Sequence, residues 1–482
     1  MFRIITFSAI FLLYGCYKAQ DKVYDSVYIE NIPSNWESAE YQNDYKINDF
    51  WPSDRDSTLI YLLEDFNINN QDMLLLDVQQ KISEIYYGIS LKELYPEVSL
   101  SSSATKSKQN LSAFGLSDDF LSSSSSDESE ENSSDSQGGG FTSFTNSTRL
   151  NASWELDLWN RIKYSRESSY FDMESELYEI KYAKSSLRAQ FIKLYFTAIS
   201  LAQEINIYEE NLFSLLKLKE ISEKRALEGI SGYDEVYLAS SNYYLYESNI
   251  KSLKHDYEKI VREIKLMMGS YLGANKEISF SKYPIDIIDI QSDIETDLLN
   301  RRPDITAYKN KVISSRFKLK SDRKLFFPRI SFNTSKGYSS SDLERLIEEE
   351  FAVWNLGLNV LAPIFNAGSI KRNIKITEHK LEVSELQYIK AVVSAIYQVD
   401  GIILHGNSLK DSYQKIIKAE KDAEKALKYA LSSYELGLVD LIYVLNIQER
   451  LNSISINKNK ILLGRYINRV DLILSLGGKF EY

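Results

Sequence analysis

Residues 298–371 open with LLNRRPDITAYKNKV (298–312) and close with WNLGLNVLAPIFNAGSIK (354–371), and the parts of this stretch recur in the same order earlier in the chain. Asp304 stands 24 residues before Pro328 in LFFPRISFN, and Asp72 in NNQDMLLLDVQQKI stands 24 residues before Pro96 in ELYPEVSLS. Both pairs frame a helical segment that leads into a proline-started strand. A unit written twice predicts two structural repeats, 60–297 and 298–482, behind an N-terminal stretch 1–59.

Each repeat carries strand periodicity after its proline. In 142–158 the residues Phe144, Leu150, Ala152, Trp154, Leu156 and Leu158 alternate with Ser143, Thr145, Ser147, Arg149, Asn151, Ser153, Glu155 and Asp157, which gives one apolar and one polar face. Strands are expected at about 96–106, 142–158, 328–338 and 351–363, in two hairpins. The first hairpin holds an acidic, serine-rich tract, SSSSSDESEENSSDSQGGG (122–140). It has too little apolar surface to order itself and reads as a solvated loop, 117–140.

Helices dominate the rest. The 482 residues include only 7 Pro and 19 Gly, and no Pro or Gly interrupts 162–228, so one uninterrupted helix of about 100 Å is expected there. Its counterpart in the second repeat tolerates Gly401 and Gly406. Each long helix ends at a glycine, Gly229 in ALEGISGYDEVYLAS and Gly437 in YELGLVDLIYVLN, and then turns back. Helical hairpins are thus expected over 162–270 and 369–476. A shorter helix, about 59–94 and interrupted near 67–70, precedes the first strand.

The first 15 residues carry Arg3 and then an apolar run, Ile4–Tyr14, too short to span a bilayer and suited to a signal peptide. The run ends in LLYGC, which makes Cys16 a candidate lipidation site and 16–59 a lipidated arm. No later stretch has the 18 to 20 apolar residues of a transmembrane helix. A net charge of −11 without a basic cluster argues against nucleic acid as a partner. Cys16 is the sole cysteine, and His255, His379 and His405 lack ligand spacing, so no metal or other cofactor is expected beyond a covalent lipid on Cys16.

Alternating strands with an apolar outer face suit a bilayer-spanning β-barrel, but four strands cannot close one, so several chains must share a wall. Long helices with apolar stripes pose the same problem and are buried by packing beside copies of themselves. The residues that carry this pattern, RRPDI (301–305), SWELDLWNRIKYS (153–165), APIFNAGSIKRN (362–373) and SYELGLVDLIYVLNIQERL (433–451), together with Cys16, resemble the TolC family of outer membrane factors. Within it they most resemble the OprM-like (NodT-type) lipoproteins of resistance-nodulation-division efflux systems.

The resemblance implies a mainly α fold with a small β part: a homotrimer with a 12-stranded β-barrel in the outer membrane and a 12-helix α-barrel in the periplasm. It implies a conduit rather than an enzyme. Small molecules such as drugs and toxic compounds would pass from a periplasmic adaptor (membrane fusion) protein and an inner-membrane resistance-nodulation-division transporter to the exterior. The alternatives are a type I protein-secretion exit duct and a non-conducting envelope-spanning lipoprotein that uses its helices as struts. An exported hydrolase finds no nucleophile–base pattern.

The turns with Gly229, Gly232, Asp234, Gly437 and Asp440 are the expected periplasmic tip, where an aperture closes and the adaptor docks. Asp440 reads either as one member of a carboxylate ring or as the cap of its helix, and Asp234 poses the same choice, with capping favoured. Arg302, Pro303 and Asp304 read as helix-start chemistry. Trp154, Trp159, Pro363 and Gly368 complete the family motifs as structural positions.

Overall fold

The computed structural model describes residues 56–110, 140–271, 280, 283 and 301–478. Cys16, the arm up to residue 55 and most of the serine-rich tract lie outside these residues. The first elements among the described residues are two helices, α1 (Ser57–Asn69) and α2 (Gln71–Ser90), separated only by Asn70. Asp56 starts α1 by accepting a hydrogen bond from the Leu59 amide at 3.0 Å. After a 3₁₀ turn, Leu91–Leu94, come β1 (Glu97–Asn110), β2 (Gly140–Leu156), α3 (Arg161–Leu227) and α4 (Tyr233–Met267). The second repeat follows with α5 (Pro303–Arg323), β3 (Arg329–Ser340), β4 (Ala352–Leu361), α6 (Ser369–Glu435) and α7 (Leu441–Ser475). The long helices α3 and α6 have 67 residues each and the return helices α4 and α7 have 35 each, so the duplication extends to element length.

Strand ends differ from the expected ones for local reasons. The strand expected over 142–158 stops at Leu156 because Asp157 caps α3, its carboxylate accepting from the amides of Ile162 (3.0 Å) and Lys163 (2.7 Å). Asn160 completes that turn at φ 60°. The strand expected to 363 stops at Leu361, since Pro363 has no N–H to donate and Ala367 (φ 49°) and Gly368 (φ 76°) reverse the chain into α6. Conversely, β1 runs past 106 to Asn110 and pairs there with Gly140, so the ladder takes in the last residue expected in the loop.

Contacts divide the chain into two compact units. The first holds residues 81–174 and 310–382 and contains the sheet, an antiparallel meander β1-β2-β3-β4. The register places Leu100 opposite Leu150, Leu150 opposite Lys336 and Lys336 opposite Trp354 in one row across all four strands. Rows on the same face toward the helices contain Val98, Ala152, Thr334 and Leu356, then Trp154, Phe332 and Leu358, then Leu156, Ile330 and Val360. Most of these apolar side chains are exposed, Trp354 by 78%. The opposite face is serine-rich, with Ser103 hydrogen-bonded to Ser147 and Ser107 to Ser143. Trp154 and Trp159 pin strand entries: their indole N–H groups donate to the carbonyls of Leu94 (3.1 Å) and Pro328 (2.8 Å), just before β1 and β3.

The second unit holds residues up to 80, 175–309 and 383–482. Its core is aromatic, with Phe66 stacked on Phe191 at 4.7 Å and Phe196 on Tyr466 at 4.5 Å. Phe66, Phe191 and Phe196 are fully buried, each contributing about 2–3 kcal/mol. A buried amide ladder fixes α7 against α3: Asn211 donates to Asn452 (2.7 Å), Gln448 donates to Asn211, and Asn459 donates to the Ser200 carbonyl (2.8 Å). A slip along the helix axis would strand every rung, so the ladder sets register.

The last carbonyls of each return helix need partners, and both repeats supply them in the same way. Asn70, two residues before Asp72, donates to Met267 O (2.6 Å); Arg302, two residues before Asp304, donates to Ser475 O (2.9 Å). Each side chain is 3% exposed. Arg302 also grips both carboxylate oxygens of Asp304, at 3.0 and 2.8 Å, and Gln398 Oε1 at 3.2 Å. Replacing Arg302 by Ala leaves the Ser475 carbonyl and the Asp304 carboxylate without their buried partner and should cost about 3 kcal/mol. Thermal unfolding of the detergent-solubilised protein should show a lowered midpoint for Arg302→Ala and a smaller drop for Asn70→Ala.

Candidate functional site at the helical turns

All four long helices among the described residues end alike. The amide of Ile230 donates to Arg225 O (2.8 Å) and that of Gly229 to Ala226 O (3.1 Å); Leu438 donates to Ser433 O (2.9 Å) and Gly437 to Tyr434 O (3.0 Å). The ends of α4 and α7 repeat the pattern through Gly269 and Gly477. This paired bonding requires a left-handed residue, and the four glycines have φ from 67° to 74°. A Cβ at Gly229 or Gly437 would meet nothing within 4 Å, so conformation alone demands glycine there.

The two turns that join the hairpins differ at their far ends. Asp440 is the N-cap of α7, its Oδ1 accepting from the Tyr443 amide at 2.8 Å. The N-cap of α4 is Gly232, without a side-chain bond, and Asp234 sits in the first helical turn, so the expected capping by Asp234 does not occur. Its carboxylate folds back over Gly232, where a Cβ would lie 2.1 Å from Asp234 Oδ1. Near the N-terminal positive end of α4 that charge is still favourable.

Three side chains not singled out in the sequence tie the turns together. Tyr434, in the last turn of α6, is fully buried. Arg225, in the last turn of α3, stacks its guanidinium 4.8 Å from the Tyr434 ring and donates to the Tyr434 carbonyl at 3.0 Å. The Tyr434 hydroxyl donates to Glu235 Oε2 at 3.1 Å. Burial, then the Glu235 charge, pushes the Tyr434 hydroxyl up to about 12, so it remains a neutral donor. The only signal in the sequence is position: Tyr434 and Arg225 lie three and four residues before the turn glycines, and Glu235 six after Gly229.

Beneath the turns, Leu215, Leu218, Ala239, Ala430, Leu441 and Val444 are buried around Tyr434. A cavity of about 160 Å³ lies between α4 and α7, bordered by Leu215, Tyr246 and Gln448. Outside this core, Leu227, Ile230, Tyr233, Tyr237, Leu436, Leu438 and Ile442 expose a dense apolar surface. Among the described residues there is no cluster of three metal-ligating side chains and no helix long and apolar enough to cross a membrane. Arg302, Pro303, Asp304, Trp154, Trp159, Pro363 and Gly368 lie at helix starts and strand ends rather than at the turns.

The family described as outer membrane efflux protein matches residues 62–270 and 296–478, one match per repeat. The cation efflux system protein CusC of Escherichia coli strain K12 is 22% identical over 426 residues, covering 88% of this chain and 87% of that protein. The probable outer membrane lipoprotein SilC of Salmonella typhimurium is 23% identical over 332 residues, 68% of this chain and 71% of that protein. The crystal structure of the Campylobacter jejuni CmeC outer membrane channel superposes with a TM-score of 0.78 at 20% identity, covering 92% of this chain and 90% of that one.

The Tyr434 link generates a direct expectation. Its folded-state pKa lies above the unfolded value of about 10, so its contribution is complete below pH 10 and is lost as pH rises toward 12. Tyr434→Phe removes the hydroxyl and leaves the ring stack. Amide exchange in 225–235 and 434–440 should quicken about ten- to a hundredfold at neutral pH, while exchange around Phe191 and Phe196 stays unchanged.

Proposed function

The chain belongs to the outer membrane efflux protein family, and from that membership we propose that three copies of it form the outer membrane exit duct of a tripartite efflux system. The observation that carries the trimer is the sheet, with exposed apolar rows on one face and two edges, β1 and β4, that no described strand covers. Edges and apolar rows of this kind are satisfied together when copies close a barrel in lipid. Two copies would give eight strands, whose interior is filled by side chains; three give twelve and leave a lumen.

On this reading the helical hairpins line the periplasmic passage and the turns at Gly229, Gly232, Asp234, Gly437 and Asp440 form its tip. The exposed apolar surface around Leu227, Tyr237, Leu436 and Leu438 offers the contact for a periplasmic adaptor, and through it for an inner-membrane resistance-nodulation-division transporter. The cargo is small molecules. No step of this role breaks a bond, so the protein acts as a conduit and not as an enzyme. Cys16 carries the covalent lipid, in line with the relative SilC, a probable outer membrane lipoprotein. Asp440, recurring three times about the axis, adds a ring of carboxylates while it caps α7.

Planar-bilayer recordings of the mature protein test this reading. Wild type should give discrete, cation-selective steps that are mostly closed. Asp440→Asn keeps an N-cap oxygen and removes the charge, so it should lower cation selectivity with the melting temperature nearly unchanged. Silence of all variants after confirmed insertion would favour the non-conducting strut. Cys16→Ser should abolish incorporation of radiolabelled palmitate.

A further inference from the structure

The exposed apolar face of the sheet carries three charged residues among its paired positions, all cationic and all toward the end away from the helices: Lys336 in β3 and Lys106 and Lys108 in β1. No carboxylate shares this face, because Glu97, Glu155 and their even-spaced neighbours belong to the opposite one. Lys336 lies in register between Leu150 and Trp354, in the last apolar row. The next row outward is Ser102, Thr148, Tyr338 and Ala352. At the helix end an aromatic group marks the opposite boundary: Trp159 stacked on Phe327 at 5.1 Å, with Phe365 90% exposed.

From Phe327 to Lys336 is nine residues, about 30 Å along an extended strand, or about 23 Å along the membrane normal at a tilt of about 40°. That approaches the roughly 25 Å apolar band of an outer-membrane barrel. We propose that Lys336, flanked by Trp354 and Tyr338, binds the phosphate of an anionic lipid headgroup at the outer face of the bilayer and so fixes the depth at which the sheet sits. The proposal rests on the reading that this face meets lipid. A lysine among apolar neighbours is costly in hydrocarbon, and the headgroup layer is the nearest place where its ammonium is both hydrated and paired. Lys106 is six residues beyond the Leu100 row, about 20 Å along the strand, and stacks on Phe144 at 4.7 Å. It and Lys108, two residues farther out on the same face, lie beyond reach of the same headgroup.

The test uses the full mature chain in phosphatidylcholine vesicles containing spin-labelled phosphatidylglycerol or spin-labelled phosphatidylcholine, comparing how strongly each label is immobilised at the protein. Wild type should hold the anionic lipid about fivefold more strongly than the zwitterionic one. Lys336→Ala should lose that preference, Lys336→Arg should keep it, and Lys106→Ala should leave it intact. An unchanged preference in Lys336→Ala, or an equal loss in Lys106→Ala, overturns the proposal. Quenching of tryptophan by lipids brominated on their chains, read in a variant that keeps Trp354 alone, tests the underlying reading separately. Quenching without preference for the anionic lipid sinks only the Lys336 site, and no quenching sinks the lipid-facing sheet itself.

Discussion

Long helices impose one constraint on everything around them: each ends in carbonyls that no intrahelical N–H can reach. Among the described residues the four long helices meet it with one geometry, a glycine near φ 70° that turns the backbone so that the next amides bond back into the last turn. Where a helix ends inside the core, that is not enough, and a buried side chain arrives from elsewhere. Asn70 serves Met267 and Arg302 serves Ser475, each from the position just ahead of a short helix. The hairpin of each repeat is thereby tied to the beginning of the same repeat. The duplication is therefore an energetic unit as well as a pattern of elements.

The larger features were legible because they depend on composition over long spans. Scarce proline and glycine announce uninterrupted helices, and the turn glycines Gly229 and Gly437 stand out against that background. Period-two alternation around Trp154 and Trp354 announces strands, and the spacing from Asp304 to Pro328 announces the repeat. Strand ends were less legible because a local competitor decides them: Asp157 belongs to the cap of α3 although its alternation fits the strand. Asp234 was misread because its neighbour Gly232 takes the cap position without any side chain.

The link between the turns was not legible, for a different reason. Arg225 and Tyr434 are 209 positions apart and Tyr434 and Glu235 are 199 apart, so each contact joins one repeat to the other. A tyrosine before a glycine turn has no local feature that distinguishes a surface residue from a fully buried one. The reach of Arg302 to Ser475, 173 positions away, was hidden in the same way behind sound helix-start chemistry. Sequence periodicity reports which face of an element is buried, whereas the partner across that face is supplied by topology.

The polar contacts that hold the helices together are unequally distributed. Deep in the core, α7 meets α3 through the rungs of the amide ladder and stacked rings such as Phe196 and Tyr466, and separating them would strand several buried polar groups at once. At the turns the polar bonds centred on Tyr434 are two, the hydroxyl to Glu235 and the carbonyl to Arg225, each to a charged group and each worth about 1.5–3 kcal/mol. A displacement of the α6–α7 turn that breaks both costs about 3–6 kcal/mol, comparable to what a partner must supply to invert a two-state equilibrium. The exposed leucines and tyrosines around the same turns give such a partner apolar area to bind. On the proposed duct reading, the hairpin ends are the part of the helical structure that a docking protein moves while the ladder above holds its register.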